Sequence, residues 1–286
     1  MSLVLSELFS GLADLREFVP AVDATARFDE LNSSATSAKK QICNIITTAI
    51  YATIVAETGD TEQKTALRSA LANATMEKQV VFDAIRNRKA NVDVYKHEQE
   101  AQKRGYAENY YNAMDTLLEL LESNEVWKET SFYTLKSGLQ IKTAAEFNSL
   151  YPIDSSYLFY FRCIPIIDKI LDESLSGYFQ TANDKSREDL IKMLRRILAE
   201  LTVASAIEQF DPMELPLNLR NLTSDSTAQR SVDADQSRLM TLAGKLKMQA
   251  LESIKTVDTL LNSTEETSLD TGESFDYPND QILLLP

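Results

Sequence analysis

The chain carries a single histidine, His97, set in a run of charged residues. One imidazole cannot build a multi-His metal site, and the sequence identifies no orienting partner for a His-based triad. The helical di-iron pattern needs a Glu three residues before a His on two helices, whereas Val94 stands three residues before His97. Asp and Glu are abundant, but none is expected alone in an apolar stretch, the setting that raises a carboxyl pKa for acid catalysis. No phosphate loop, dinucleotide turn or nucleophile elbow is present. Cys43 and Cys163 lack Cys-x-x-Cys spacing and read as small core residues, not as a disulfide or metal pair. Tyr106, Tyr110 and Tyr111, and again Tyr157, Phe159, Tyr160 and Phe161, are possible base-stacking platforms. Their helical spacing in an acidic protein favours helix packing. No catalytic, cofactor-binding or metal-binding residue is assigned, and a non-enzymatic protein without cofactors is expected.

The elements that would carry function are helices. Seven Gly and seven Pro are few for 286 residues, and no Pro occurs between Ala21 and Tyr151. That composition predicts an all-α fold with ample length for one large or two modest cores. Acidic residues outnumber basic ones 43 to 29, a net charge of -14, which argues against sequence-specific or wrapping contacts with nucleic acid. The longest uncharged run, 42–56, is too short and too polar to span a bilayer and reads as a buried helix. The N-terminus has no basic start and meets Glu7 early, so no secretory signal is read and synthesis in the cytoplasm is expected.

The best-defined unit is a helical hairpin over 155–210. Asp154, Ser155 and Ser156 offer N-cap side chains, and Ile166, Ile167, Ile170, Leu171, Leu175, Tyr178 and Phe179 recur on one helical face. Pro165 should kink this helix or mark the start of its regular part. Ser186 is expected to cap the second arm, whose stripe is Leu190, Ile191, Leu194, Ile197, Leu198 and Leu201. Lys185, Arg187, Lys192, Arg195 and Arg196 form its solvated or acid-binding face. Ile42, Ile46 and Ile50 stand 124 residues before Ile166, Ile170 and Ser174, and the turn Thr58-Gly59-Asp60 aligns with Ala182-Asn183-Asp184. A second hairpin over 27–88, and hence an internal duplication, is the reading that fits.

The expected organisation is a first helical repeat over 1–124, a second over 125–263, and an acidic tail over 264–286. A short amphipathic helix over 2–19 leads into the first repeat, and apolar residues from Trp127 to Phe147 should pack the repeats on each other. Leu217 to Leu222 alternate with period two, so 211–231 reads as an inserted strand or extended arm, with Leu215, Leu217, Leu219 and Leu222 as partner contacts. Gly244, in the long last helix from Ser231 to Asn262, marks a possible close helix approach. The tail offers Phe275, Tyr277, Ile282, Leu283, Leu284 and Leu285 as anchors for a partner.

The leader Glu146-Phe147-Asn148 to Tyr151-Pro152-Ile153-Asp154, the helix entry at 159–170 and the late 204–216 segment before a long helix resemble an uncharacterised family of Bacteroidetes phage and prophage proteins. That resemblance spans nearly the whole chain. It implies a virion role, as a head-tail connector or neck adaptor subunit in a homo-oligomeric ring that touches portal, adaptor or tail components. The duplication and the insertion depart from single-copy connectors. A cytoplasmic helical adaptor or assembly chaperone binding one protein partner has the same composition and stays open beside it.

Overall fold

A computed structural model describes residues 3–22, 26–89, 96–221 and 232–263, and among them the chain is helical with no strand. A 3-10 turn at Val4–Glu7 and α1 (Leu12–Arg16) precede α2 (Phe28–Ile46), α3 (Thr48–Ala56), α4 (Glu62–Lys89) and α5 (Lys96–Leu121). Three short helices follow, α6 (Glu125–Lys128), α7 (Ser131–Gly138) and α8 (Ala144–Leu150). Then come α9 (Tyr157–Ile170), a π segment (Leu171–Leu175), α10 (Ser176–Asp184) and α11 (Glu188–Gln209). A 3-10 turn at Pro212–Glu214, α12 (Leu217–Asn221) and α13 (Val232–Asn262) complete the fold.

Both halves therefore run in the same order: short leader helices, an interrupted helix, then two long helices. In the first half the polar links Gln63 to the Leu120 carbonyl (3.3 Å) and Lys103 to Glu77 (3.9 Å) show α4 and α5 lying antiparallel. In the second, Lys185 Nζ donates to the Leu261 carbonyl (2.5 Å) and Lys247 pairs with Glu208 (2.7 Å), which sets α13 antiparallel to α11. One apolar core, from Leu5 to Leu261, runs through both halves. Of the apolar residues from Trp127 to Phe147, Trp127, Leu139, Ile141 and Phe147 are buried in it, and Phe132, Tyr133 and Leu135 pack against it.

Interruptions occur where the side-chain pattern gives little warning. Residues 42–56 are not one helix: Thr47 takes φ 72, ending α2, and its hydroxyl accepts from Ile50 N at 3.4 Å to cap α3. A second interruption is the π segment, whose first residue, Leu171, stands 124 residues after Thr47. Pro165 does not begin the regular part, because α9 starts at Tyr157 with Ser156 as N-cap and runs on with Pro165 exposed. Ser186 does not cap α11. It sits at φ 52 in the left-handed region, where Arg187 N reaches Ala182 O and Ser186 N reaches Asn183 O, each at 2.9 Å, a Schellman closure of α10. The leader is a 3-10 turn and a short helix instead of one amphipathic helix. Gly244 is exposed, and a Cβ there would meet nothing, so it marks no close approach.

Each leader is tied to the first long helix of its half by an arginine. Arg68 of α4 is buried, pairs with Asp14 of α1 and with Asp60 (3.1 Å), and lies 4.8 and 5.2 Å from the Phe18 and Phe9 ring centroids. Arg195 of α11 donates to Glu146 of α8 at 2.8 Å. The basic face of α11 is therefore only partly a solvated one: Lys185 and Arg195 are engaged, Arg187 bonds Asp189, and Lys192 and Arg196 are exposed.

Burial ranks the two hairpin isoleucines. Ile46 is fully buried and Ile170 only partly, so Ile46→Asp should cost on the order of 4 kcal/mol and Ile170→Asp clearly less in chemical denaturation. Equal losses would show that the face is misassigned. Burial pushes the Glu146 carboxyl up, but bonds from Lys142 N, Arg195 and Thr143 outweigh it and hold it below its ordinary value. A lowered folded pKa gives stability that is present above the unfolded value of about 4.3 and lost as pH falls through the folded one. The melting deficit of Glu146→Gln should accordingly be seen at pH 7 and vanish on acidification, and a deficit independent of pH would refute this.

Candidate functional site

The halves meet at a joint made by one carboxylate. Asp115 of α5 accepts from Leu158 N (2.7 Å) and from Ser156 Oγ (2.9 Å), while Ser156 Oγ itself accepts from Phe159 N (3.1 Å). An anion thus sits on the N-terminus of α9, where unpaired N–H groups and the helix dipole favour it. Burial nevertheless raises the Asp115 pKa, with the two hydrogen bonds opposing it. This corrects the expectation that no carboxyl stands in an apolar setting.

Beside the joint opens a cleft of about 450 Å³ whose walls come from both halves. Helix α2 contributes Gln41 and Asn44, α5 contributes Tyr110 and Tyr111, and α9 contributes Phe161, Arg162 and Pro165. Phe210 and Glu214 close it from beyond α11. Arg162 pairs with Glu214, and its guanidinium carbon lies 4.6 Å from the Phe210 centroid. Phe161 is packed between Phe132 (4.5 Å) and Trp127 (5.8 Å). Tyr110 is 2% exposed, yet its hydroxyl has no hydrogen-bond partner. The Gln41 carboxamide lies beside it and acts against the upward shift of the phenol, its oxygen accepting from Lys78 Nζ at 2.7 Å.

Burial pushes both phenols up, with Tyr111 raised further by Glu214, so they stay protonated near neutrality. The cleft supplies aromatic faces and hydrogen-bond donors, and its carboxylate is committed to Arg162. Such a set can hold a ligand group; it has no activated nucleophile. Among the described residues no three His, Cys, Asp or Glu side chains gather to hold a metal, and no helix is long and apolar enough to cross a membrane.

Residues 211–221 make a strap across the joint, not an extended arm. Asp211 caps its 3-10 turn through Met213 N (2.8 Å), and Glu214 Oε2 reaches back to Asp211 N (3.3 Å). Asn218 N donates to Asp154 Oδ2 (2.7 Å), and Arg220 lies 3.6 Å from Glu108 of α5. The period-two pattern is satisfied by a short helix, with Leu215 and Leu219 buried in the chain's own core and Leu217 exposed. Leu222 and the tail residues Phe275, Tyr277, Ile282, Leu283, Leu284 and Leu285 lie outside the described residues.

The aromatics read from sequence divide the same way. Tyr106, Tyr110, Phe159, Tyr160 and Phe161 are buried packing residues, as is Cys163, while Cys43 is half-buried. Sequence reasoning missed Arg162 and Glu214. Arg162 had a signal, a lone cation between Phe161 and Cys163 in an apolar run; Glu214 and Gln41 had none.

Replacing Asp115 with alanine should strand Leu158 N and the Ser156 hydroxyl. Asp115→Ala is expected to lower stability by about 2 kcal/mol, read as a shifted urea midpoint, and a midpoint within error of the parent would remove Asp115 as the joint. In comparisons with family models, curated proteins and solved structures, this chain has no match.

Proposed function

We propose that this protein is a structural assembly subunit that works by binding other proteins through its helical hairpins. The observation that carries this is where its exposed large apolar side chains lie. Val81, Phe82 and Ile85 are about half exposed on one stretch of α4, and Met248 (64%) and Leu251 (56%) stand out from α13. Clustered exposure at helical spacing is the pattern of a contact face, whereas single scattered apolar residues are ordinary surface. The phage resemblance supplies the setting: a head-tail connector or neck adaptor, in which copies close a ring against portal, adaptor or tail proteins.

Mass measurement tests both levels. Purified protein, alone over a concentration range and mixed with portal-containing particles, should give a ring-sized species or be retained on the particles. Phe82→Glu and Leu251→Glu should reduce that retention about tenfold or more. A monomer at every concentration with no retention, or a discrete heteromer with one host protein, would overturn the reading, and the second outcome would favour an adaptor.

A further inference from the structure

We infer that the groove between α4 and α5 binds a linear aliphatic polyamine, its ammonium groups met by Glu17, by Glu62 and by the carboxamide oxygen of Asn73. It does not depend on the assembly reading above.

The groove holds about 830 Å³ and runs where small side chains keep two antiparallel helices from closing on each other. On α4, Ala66 and Ser69 stand between Glu62 and Asn73 at the three-and-four spacing of one face, and Ala113 and Thr116 of α5 stand opposite. The charged groups that line it are Glu17, Asp60 and Glu62, all carboxylates. Arg68 holds Asp60 at 3.1 Å, whereas Glu17 and Glu62 are exposed and neither side chain has a hydrogen bond or ion pair among the described residues. Asn73 adds a buried acceptor. It is 2% exposed, its Nδ2 donates back to the Ser69 carbonyl of its own helix at 2.9 Å, and its Oδ1, the end left to the groove, has no partner. An unpaired buried carbonyl oxygen is costly, and a ligand that brings N–H groups relieves it.

The spread of these acceptors selects the kind of cation. Among the described residues no three His, Cys, Asp or Glu side chains gather to hold a metal, so Glu17, Asp60 and Glu62 do not converge on one point charge. Over the eleven residues from Glu62 to Asn73, α4 rises about 16 Å, too far for a single ammonium to serve both ends. A chain with several ammonium groups and methylenes between them matches that layout. Its methylenes lie along Ala66, Ala113 and Leu120, while its nitrogens, which carry only donors when charged, meet the carboxylates and the Asn73 oxygen. The net charge of -14 draws such a ligand in from a distance.

Calorimetric titration of the full chain with spermine at physiological ionic strength tests this. One site per chain is expected, with ethylenediamine, too short to join Glu62 to Asn73, bound at least about tenfold more weakly. Glu17→Gln combined with Glu62→Gln, both at exposed positions, should weaken spermine about tenfold without moving the melting temperature. Glu129→Gln combined with Glu252→Gln removes the same charge from exposed positions outside the groove and should leave spermine affinity within about twofold of the parent. Asn73→Leu changes no charge and should also weaken spermine about tenfold; if it does not fold, the two double variants decide alone. Equal losses in the two double variants, ethylenediamine matching spermine, or Mg²⁺ displacing spermine at equal concentration would each overturn the inference, because they report general attraction to an acidic surface. A trilysine peptide bound more tightly than spermine would overturn it too, and would assign the groove to lysines of another protein.

Discussion

The contact between the Asp115 carboxylate and the first turn of α9 sets the relation between the two halves. Everything at the junction is referenced to it: α5 carries Tyr110 and Tyr111 about one turn before Asp115, and α9 carries Phe161 and Arg162 in the turn after the one it caps. Apolar packing along a helix surface is tolerant of sliding, because ridges and grooves repeat. A charge-assisted bond to a helix end is not, because free N–H groups occur only in the helix's first turn. Register at the joint is therefore held by a polar contact, and the strap through Asn218 and Arg220 braces it from the other side.

How much of this the sequence disclosed depends on which kind of information each feature uses. The long helices and their faces follow from apolar spacing, so the stripes of α9 and α11 and the helical class were legible. The breaks were not. Thr47 is β-branched and an unlikely occupant of positive φ, and Ser186 looks like a helix cap until backbone bonds show it closing α10. Leu215, Leu217 and Leu219 alternate like a strand, yet at five residues the same pattern fits a helix turn that buries two leucines against a neighbour. The cleft was the least legible part, because it is made by residues more than a hundred positions apart whose types say nothing until they meet.

The two hairpins differ in what they leave uncovered. In the first half, the large apolar side chains left outside lie toward the end of α4; in the second, Met240, Met248 and Leu251 stand out from α13, with Val126 and Leu217 exposed on the short helices α6 and α12. The outer faces of the two hairpins are thus not equivalent.

The location of Asp115 also bears on the order in which the molecule forms. Helices α2, α4 and α5 contact one another within the first 121 residues, and contacts so near in sequence are among the first to form as a chain leaves the ribosome. Asp115 belongs to that early body, but its partners at Ser156 and Leu158 are made later. Until they arrive the carboxylate is hydrated and fully charged on the flank of α5. Docking of α9 is the event that dehydrates it. The junction, and with it one wall of the cleft, is therefore built before α13, which follows in the chain and packs on α11.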